Sequence, residues 1–486
     1  MQTKKKDLRY VHLAIGVGIM LFFRFLPFQL PHITPMGMKI LGIFIGTLYL
    51  WTTSDPLTSS ILAIFLVGIS GISNMNEVLS STFGNPILVQ VMFLLLVINT
   101  MVDNKLTEYC GRFFLTRKSC LGHPWMLVFY ILVGCVLMGA FMGGFTPIFL
   151  FGPILYDIFE TVGMKKNEKF PTIMLILVTI ATLLGFPIPP FMGNGLALLS
   201  NYTTVTGNIM GTPVEVNNAG YLATGLIHAF ICVVILVLFT KFVLRPDVSK
   251  LKNLTMEDLD KNPLPPMTVS QKLIAAFFAG FITILLIPSI APNWGVARVI
   301  KENTYGIAAF IVFLLCTIRI SGKPLMVFGE SMKSFSWSTY FLIGSAILLG
   351  NTLTDKGTGV SEFLNSILIP LFKNVPISAF AIIIMLLTVV LTNLCNSFVI
   401  GLLLQPVIAT FCMASGINSA PVVSMMILFV LSSAAITPAA SPFAAMLFGN
   451  KEWLQPKAIY KYTLIFIAIE LAVVLAISLP IANMLL

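Results

Sequence analysis

The chain has 486 residues, of which 57% are hydrophobic and only 10% are charged. This composition excludes a soluble globular domain. Apolar runs long enough to cross a bilayer recur along the whole length and predict an all-α polytopic membrane protein in a lipid bilayer. The net charge of +10 is explained by the lysines and arginines that orient membrane helices, so nucleic acid is not expected as a partner. The seven cysteines show neither CxxC pairs nor the Cys/His spacing of a metal site.

In chain order, the apolar runs predict about eleven transmembrane crossings. The first belongs to a retained N-terminal extra helix within residues 1–30, because the lysines at positions 4–6 precede a long apolar run without a small-residue cleavage site behind it. Two later crossings are broken by prolines. The crossings lie at 9–28, 36–54, 57–74, 82–105, 171–207 (broken), 217–243, 272–290, 305–320, 338–356, 421–450 (broken) and 456–485.

Two apolar hairpins, 123–163 and 377–415, lie between these crossings, and each is predicted to enter and leave the membrane on one side. Unpaired backbone at the tip of such a re-entrant hairpin is tolerated only where it faces protein or a wet cavity. The proline-rich stretch 245–271 is the only sizeable linker. We therefore predict a first inverted repeat over 31–244, a cytoplasmic linker over 245–271 and a second inverted repeat over 272–486.

The two hairpins share one sequence pattern, about 253 residues apart. The first copy runs from Gly139 to Pro153 and the second from Thr392 to Pro406. In each copy small or polar residues interrupt an apolar run, a phenylalanine follows, and a proline comes eight residues after the phenylalanine. Broken apolar segments at corresponding positions of two halves are the best sequence indication of a transporter's binding site. The pattern therefore predicts that the two hairpin tips approach each other near the middle of the membrane.

The lysines and arginines predict the orientation of the chain. All but six of the 29 fall in segments that this topology places on the side of the N-terminus, and positive charge marks the cytoplasmic side. The N-terminus is therefore predicted in the cytoplasm and the C-terminus outside. The basic segments are 4–9, 105–118, 165–169, 241–272, 319–333 and 451–461.

Four short stretches share their order and spacing with one known family. Residues 50–56, Leu-Trp-Thr-Thr-Ser-Asp-Pro, are similar to its Trp-Thr-Glu-x-Pro turn, and residues 83–86, Phe-Gly-Asn-Pro, open a helix as they do there. Residues 437–442 are similar to its Gly-Thr-Pro-Pro-Asn break, with 185–190 as the counterpart in the first half. The chain thus resembles the divalent-anion/sodium symporter family of the ion-transporter superfamily. The resemblance implies sodium-coupled transport of a small dianion by a homodimer.

The resemblance also implies site residues at the hairpin tips, where the family usually carries Ser-Asn-Thr. Here the second tip has Asn-Ser-Phe at 396–398, or Cys-Asn-Ser at 395–397 with a shift of one residue, and the first has Gly-Gly-Phe at 143–145. The expected substrate-binding residues are Asn396, Ser397, Thr437, Thr146, Gly144 and Asn194. The expected sodium ligands are Thr392, Cys395, Asn396, Ala435, Gly139, Gly143, Gly144 and Gly185.

Neither hairpin tip and neither helix break carries a carboxylate or a basic side chain. A sodium site there must use backbone carbonyls and neutral side-chain oxygens, which suit a hard monovalent cation. An anion would be held by hydroxyls, amides and the positive ends of broken helices. Because the second tip has more side-chain oxygens, we expect sodium coupling to depend more on the second hairpin than on the first.

The leading hypothesis is secondary active transport of a small dianion, a di- or tricarboxylate or sulfate, driven by sodium across the plasma membrane by alternating access. The alternative is a proton-coupled transporter or an anion exchanger of the same superfamily, which the absence of the first-half motif favours. A channel is less expected, since no stretch resembles a pore filter. An enzyme is not expected, because the sequence has no zinc motif, no Asp-rich metal motif and no nucleophile–base pair. No cofactor is expected beyond sodium as the coupling ion.

Overall fold

The structure is a computed structural model, and it describes residues 2–27, 29–259, 264–353, 355–360, 362–363, 366, 370 and 375–486. Within these ranges the fold is α-helical apart from one short pair of antiparallel strands, β1 (Arg319–Ile320) and β2 (Lys323–Pro324). Short 3-10 turns lie at Phe23–Phe25, Lys118–Cys120, Ser249–Asn253 and Lys356–Thr358.

The helices of the first half begin and end largely at proline, glycine and capping residues. For example, Asp55 accepts hydrogen bonds from the first backbone amides of the helix that starts at Pro56. The helices are α1 (Gln2–Phe22), α2 (Pro35–Thr53), α3 (Pro56–Gly68), α4 (Met75–Phe83), α5 (Pro86–Asp103), α6 (Leu106–Leu115), α7 (Pro124–Phe141), α8 (Thr146–Thr161), α9 (Lys169–Gly185), α10 (Gly193–Met210), α11 (Asn218–Phe239, continued by a π-helical turn Thr240–Leu244) and α12 (Met256–Leu259).

The second half contains the remaining helices. The described ones are α13 (Val269–Ile290), α14 (Gly295–Glu302), α15 (Thr304–Thr317), α16 (Phe328–Ser331), α17 (Trp337–Leu353), α18 (Ile377–Thr392), α19 (Ser397–Ser415), α20 (Ala420–Ser432), α21 (Pro442–Gly449), α22 (Pro456–Val473) and α23 (Leu479–Leu485), the last two joined by a π-helical turn (Val474–Ser478).

Seven helices of the described ranges are long and apolar enough to span a membrane, and the pair α14–α15, bent by 83°, would make an eighth. Shorter apolar helices, such as α3, α9 and α20, lie in the predicted crossings 57–74, 171–207 and 421–450. The predicted fold class, a polytopic α-helical membrane protein, is confirmed. The number of crossings remains approximate, because several of them are built from helices shorter than a bilayer.

Both predicted hairpins and both predicted breaks are formed. In the first hairpin, the tip 142–145 joins α7 to α8, and in the second hairpin the tip 393–396 joins α18 to α19. The first break, 186–192, separates α9 from α10. The second break, 433–441, separates α20 from α21.

The two halves interlock around these elements. Helix α10, which follows the first break, packs against α19 of the second hairpin, and α21, which follows the second break, packs against α9. A buried pair of amides joins the first of these contacts, because Asn201 Nδ2 donates to Gln405 Oε1 at 2.6 Å. Gln405 in turn donates to the carbonyl oxygen of Leu198 at 2.8 Å. Each half therefore completes the packing of the other.

Basic segments that the sequence predicts on the cytoplasmic side contact one another at one end of the molecule. Segment 105–118 contacts the linker, the linker contacts the end of the first hairpin, and segment 165–169 contacts segment 451–461. The contacts are Arg112 Nη1 to Leu264 O (3.0 Å), Lys250 Nζ to Gly163 O (2.7 Å) and the ion pair of Lys166 with Glu452.

The start of α11 and the end of α23, which lie away from the basic segments, make a different set of contacts. Lys301 forms an ion pair with Glu215, just before α11, at 2.9 Å. Asn418 donates to the backbone carbonyl of the C-terminal Leu486 at 3.2 Å. The basic segments thus lie beyond one end of α11 and of the last span, and Glu215 and Leu486 lie at the other end.

Candidate functional site

Asn393 joins the tip of the second hairpin to the second break. Its Nδ2 donates to Ser433 O at 3.0 Å and to Val389 O at 2.8 Å, and its Oδ1 accepts from the backbone amide of Ile436 at 2.8 Å. The carbonyl of Asn393 also accepts from Thr437 Oγ1 at 2.6 Å. Asn393 is only 5% exposed. Its amide thus fixes the position of the break rather than facing solvent.

Two further contacts close the same region. The Thr392 hydroxyl, fully buried, donates to Val430 O at 3.0 Å. The backbone amide of Ser397 donates to Ala440 O at 3.2 Å. Tip and break thus meet through hydroxyls, amides and carbonyls alone. Carbonyl oxygens have two lone pairs, so those already bonded here keep acceptor capacity for a cation.

Asn396 begins α19 as its N-cap. Its Oδ1 accepts from the backbone amide of Phe398 at 3.0 Å, which is the usual role of asparagine at a helix start. The side chain is half-buried, and its Nδ2 donates to none of the described residues. The neighbouring Cys395 is also half-buried, in the turn itself. The amide of Asn396 is therefore available to a ligand at the positive end of α19.

The tip of the first hairpin is built on a glycine in the left-handed region. Gly143 has φ +98°, a conformation that a side chain would strain. Its carbonyl accepts from the backbone amide of Thr146 at 3.2 Å, and the Thr146 hydroxyl donates to Met142 O at 2.8 Å. The hydroxyl of Thr146 therefore donates a local hydrogen bond.

Aromatic side chains enclose the first tip. A Cβ at the buried Gly144 would lie 2.6 Å from Cζ of Phe443 and 2.8 Å from Cδ2 of Phe186. Phe443 follows the second break and Phe186 begins the first, and the ring of Phe145 stacks on Phe443 with centroids 4.5 Å apart. The first tip thus contacts Phe186 of the first break and Phe443 in the first turn of α21, just after the second break.

Glycines bring α7 and α9 into backbone contact. A Cβ at Gly139 would lie 2.7 Å from Thr182 O, and a Cβ at Gly185 would lie 2.0 Å from Val136 O. Thr392 occupies the position of the second half that corresponds to Gly139. In the second half the Thr392 hydroxyl therefore contacts a carbonyl of the neighbouring helix, as the backbone of Gly139 does in the first half.

Two buried side chains hold the first break, and the sequence analysis missed both. Tyr221 donates from its hydroxyl to Pro187 O at 3.0 Å, and Gln90 Nε2 donates to Phe191 O at 3.1 Å. Gln90 is 1% exposed and lies in the second turn of α5. A side-chain amide inside an apolar run is costly at bilayer depth, so the position of Gln90 in such a run was a sequence signal that could have identified it.

The predicted residues therefore fall into separate groups. Thr392, Ser397 and Thr437 lie together around the second break, next to the buried Ala435, whose backbone amide donates to Ser433 O at 3.0 Å. Asn194 is half-buried in the first turn of α10, and no hydrogen bond within the described residues joins it to either tip. Asn393, which the sequence analysis did not select, makes the most contacts between tip and break.

Comparison with known proteins identifies the family. Residues 210–486 match the family described as the sodium:sulfate symporter transmembrane region. The chain belongs to this family. The resemblance to the divalent-anion/sodium symporters is thereby confirmed. The prediction that the chain is not an enzyme is also confirmed, because the family and the relatives found are transporters.

The symporter-family chain is also similar to individual transporters. It is 25% identical over 210 residues to the sodium-dependent high-affinity dicarboxylate transporter 3 of Caenorhabditis elegans, a match that covers 39% of this chain and 36% of the nematode protein. Its fold is similar to that of the YdaH transporter of Alcanivorax borkumensis, with a TM-score of 0.60 and 14% identity over 93% of this chain and 98% of that one. For MtrF of Neisseria gonorrhoeae the TM-score is 0.58, with 14% identity over 87% and 94% of the two chains. At such identity these likenesses show the fold alone.

Proposed function

We propose that this protein is a secondary active transporter that imports a small dianion together with sodium. The observation that carries the proposal is the second hairpin tip, where Asn393, Thr392 and Thr437 join tip and break through neutral oxygens and amides. The family supports sodium coupling, and the dicarboxylate named for the nematode relative supports a di- or tricarboxylate, with sulfate as the other candidate.

In this proposal sodium lies between the hairpins and the breaks, held by backbone carbonyls and neutral side-chain oxygens. The substrate is held by the Asn396 amide and the Ser397 and Thr437 hydroxyls, at the positive end of α19. Thr146, Gly144 and Asn194 complete the substrate site from the first half. The sodium ligands are Thr392, Cys395, Asn396 and Ala435 in the second half and Gly139, Gly143, Gly144 and Gly185 in the first.

Alternating access follows from the same elements. The hairpins and the broken helices form a moving unit, and the first crossings of each repeat form the scaffold. The bonds between the second tip and the second break support this division, because they hold hairpin and broken helix together as one body.

We further propose that the protein lies in the plasma membrane as a homodimer, with the N-terminus inside and the C-terminus outside. The separation of charged segments into two ends supports this orientation. In a chain whose seven native cysteines are replaced by serine, Lys166→Cys and Lys301→Cys place single thiols at the two ends, on side chains that are 45% and 66% exposed. An impermeant maleimide should label the second variant in intact cells and the first only after lysis. The reverse pattern would invert the topology.

Uptake by proteoliposomes tests the transport proposal. Purified protein is reconstituted, and labelled succinate, citrate and sulfate are offered with an inward sodium gradient, an equal potassium gradient, or sodium with a sodium ionophore. We expect accumulation of at least one of these anions that requires the sodium gradient and collapses with the ionophore. Accumulation that is equal in sodium and potassium would reject sodium coupling, and the absence of both uptake and counterflow would reject transport of these anions.

A further inference from the structure

A pair of ionisable side chains lies buried between two membrane-spanning segments, outside the site described above. His228 belongs to the span Asn218–Leu244, and Glu470 lies near the middle of the 30-residue span Pro456–Leu485. Each side chain is 1% exposed, and His228 Nε2 lies 3.6 Å from Glu470 Oε1. Ionisable groups at bilayer depth are costly and are functional by default.

The two residues are bonded to different parts of the fold. His228 Nδ1 lies 2.9 Å from Ser478 Oγ in the π-helical turn that follows α22, and Cys232 Sγ lies 3.8 Å from the same nitrogen. The Ser432 hydroxyl donates to Glu470 Oε1. Glu470 Oε2 is buried and has no hydrogen-bond partner within the described residues. Glu470 Oε1 therefore accepts a hydrogen bond, and Oε2 accepts none from the described residues.

Among the described residues of the helices around the pair, Cys232 is the one further titratable group that contacts it. Helices α20, α21 and α23 contain no titratable side chain. The remaining titratable residues of the neighbouring helices make no hydrogen bond or ion pair with His228 or Glu470 in the described structure. They are Tyr130 and Cys135 of α7, Lys169 of α9, Tyr221 of α11 and Lys241 of the turn that continues it, Lys272 of α13, and Lys457, Tyr460, Lys461 and Tyr462 of α22.

Ser432 links this pair to the second break. It is the last residue of α20, and the next residue, Ser433, accepts the Asn393 side chain through its carbonyl. A hydroxyl has one proton to donate, and Ser432 has two acceptors in reach, Glu470 Oε1 and Phe429 O at 3.4 Å. An ionised carboxylate is the stronger acceptor, so the charge of Glu470 determines where the hydroxyl points.

We propose that His228 and Glu470 form a proton-binding site that couples protonation to the movement of the second broken helix. The proton comes from bulk water as hydronium, adds to Oε2 of the carboxylate and leaves a water molecule and a neutral carboxylic acid. Nε2 of His228, at 3.6 Å, is too far to donate a hydrogen bond to Oε1, and Nδ1 lies at hydrogen-bond distance from Ser478 Oγ. Proton uptake therefore removes one negative charge from the pair, and Ser432 is released to the carbonyl of Phe429.

Infrared difference spectroscopy of the purified protein tests proton binding independently of transport. On acidification we expect the carbonyl band of a buried carboxylic acid in the wild type and not in Glu470→Gln. His228→Gln should keep the band and shift the pH at which it appears. The same band, at the same pH, in the wild type and in Glu470→Gln would overturn the proposal.

The coupling step is tested in proteoliposomes, and this part rests on the proposed transport function. Sodium-driven succinate uptake is measured across a pH series, with pyranine reporting internal pH. We expect the pH dependence of uptake to be lost in Glu470→Gln and weakened in Ser432→Ala, which should keep the infrared band. His12→Gln is the control, because His12 bonds only the hydroxyl of Tyr49, at 2.7 Å, without a carboxylate, and should keep the wild-type profile.

The outcomes of the two experiments separate the two proposals. An unchanged pH profile in Glu470→Gln and Ser432→Ala would overturn the coupling. If the wild type transports none of the anions offered, the transport proposal fails for those anions, and the infrared band alone decides whether the pair binds a proton.

Discussion

Asn393 donates from Nδ2 to the carbonyl oxygen of Ser433 at 3.0 Å, and this bond holds the second hairpin on the second broken helix. The same side chain also accepts from the backbone amide of Ile436 at 2.8 Å. A carbonyl and an amide that a broken helix leaves unpaired are thus satisfied by one residue of the hairpin. A movement of the break must therefore carry the hairpin tip with it or break these bonds.

Substitution of Asn393 by alanine should separate the tip from the break. It leaves the buried amide of Ile436 and the carbonyl of Ser433 without this partner, and an unsatisfied buried group costs about 1–3 kcal/mol. We expect a lower unfolding temperature in detergent and loss of anion uptake. Val389, which accepts from Asn393 through its carbonyl on the same helix, provides the control. Val389→Ala should keep both properties near wild type, and Asn393→Ala behaving like this control would reject the role.

Substitution of Asn396 by alanine should have a different signature. Asn396 caps α19 with one bond, whose loss costs about 0.5–2 kcal/mol, and its Nδ2 is turned to no described residue. We therefore expect near-normal expression with a raised KM or a lowered maximal rate of uptake. Asn396→Ser keeps a capping oxygen and removes the amide donor, so it separates capping from ligand binding. If KM, maximal rate and sodium dependence are all unchanged in both variants, Asn396 is a cap only.

Substitution of Gly144 by alanine should disrupt the packing of the first tip against Phe443. The added Cβ would lie 2.6 Å from Phe443 Cζ, and overpacking of this kind costs about 1–3 kcal/mol. We expect weaker uptake and a lower unfolding temperature. Phe443→Leu in the same chain removes the ring that the methyl group meets, so the double variant should recover part of both losses. A double variant that is as impaired as the sum of the single variants would mean that the two residues act independently.

The sequence predicted the hairpins and breaks because each interrupts an apolar run with glycine, proline or polar residues, which the physics of the bilayer makes conspicuous. It did not distinguish Asn393 from Asn396, since both lie in one four-residue turn and tertiary packing alone decides which amide faces the break. Helices α4, α6 and α14 were not predicted, because they are short and carry charged residues that end an apolar run.

The pair of His228 and Glu470 was also missed. Each residue is a single polar interruption of an apolar run, and the two lie on helices of opposite halves, so no spacing in the chain connects them. The individual signals were present, since an ionisable residue inside a predicted crossing indicates function. What the sequence lacked was the pairing, which arises only when α11 and α22 pack together.

Sodium dependence should reveal the asymmetry between the two halves. The first tip offers backbone oxygens and the occupied hydroxyl of Thr146, whereas Thr392 and Thr437 bring hydroxyls to the second. If the second half alone completes a sodium site, uptake as a function of sodium concentration should have a Hill coefficient near one.

Gly143→Val strains a residue at φ +98° and should lower the amount of folded protein while leaving this coefficient unchanged. Gly163→Val is the control, because Gly163 also has a positive φ, +67°, but lies in open space at the far end of the same hairpin. A steep sodium dependence in the wild type that Gly143→Val abolishes and Gly163→Val preserves would contradict this prediction, and would mean that the carbonyls of the first tip complete a second sodium site by themselves.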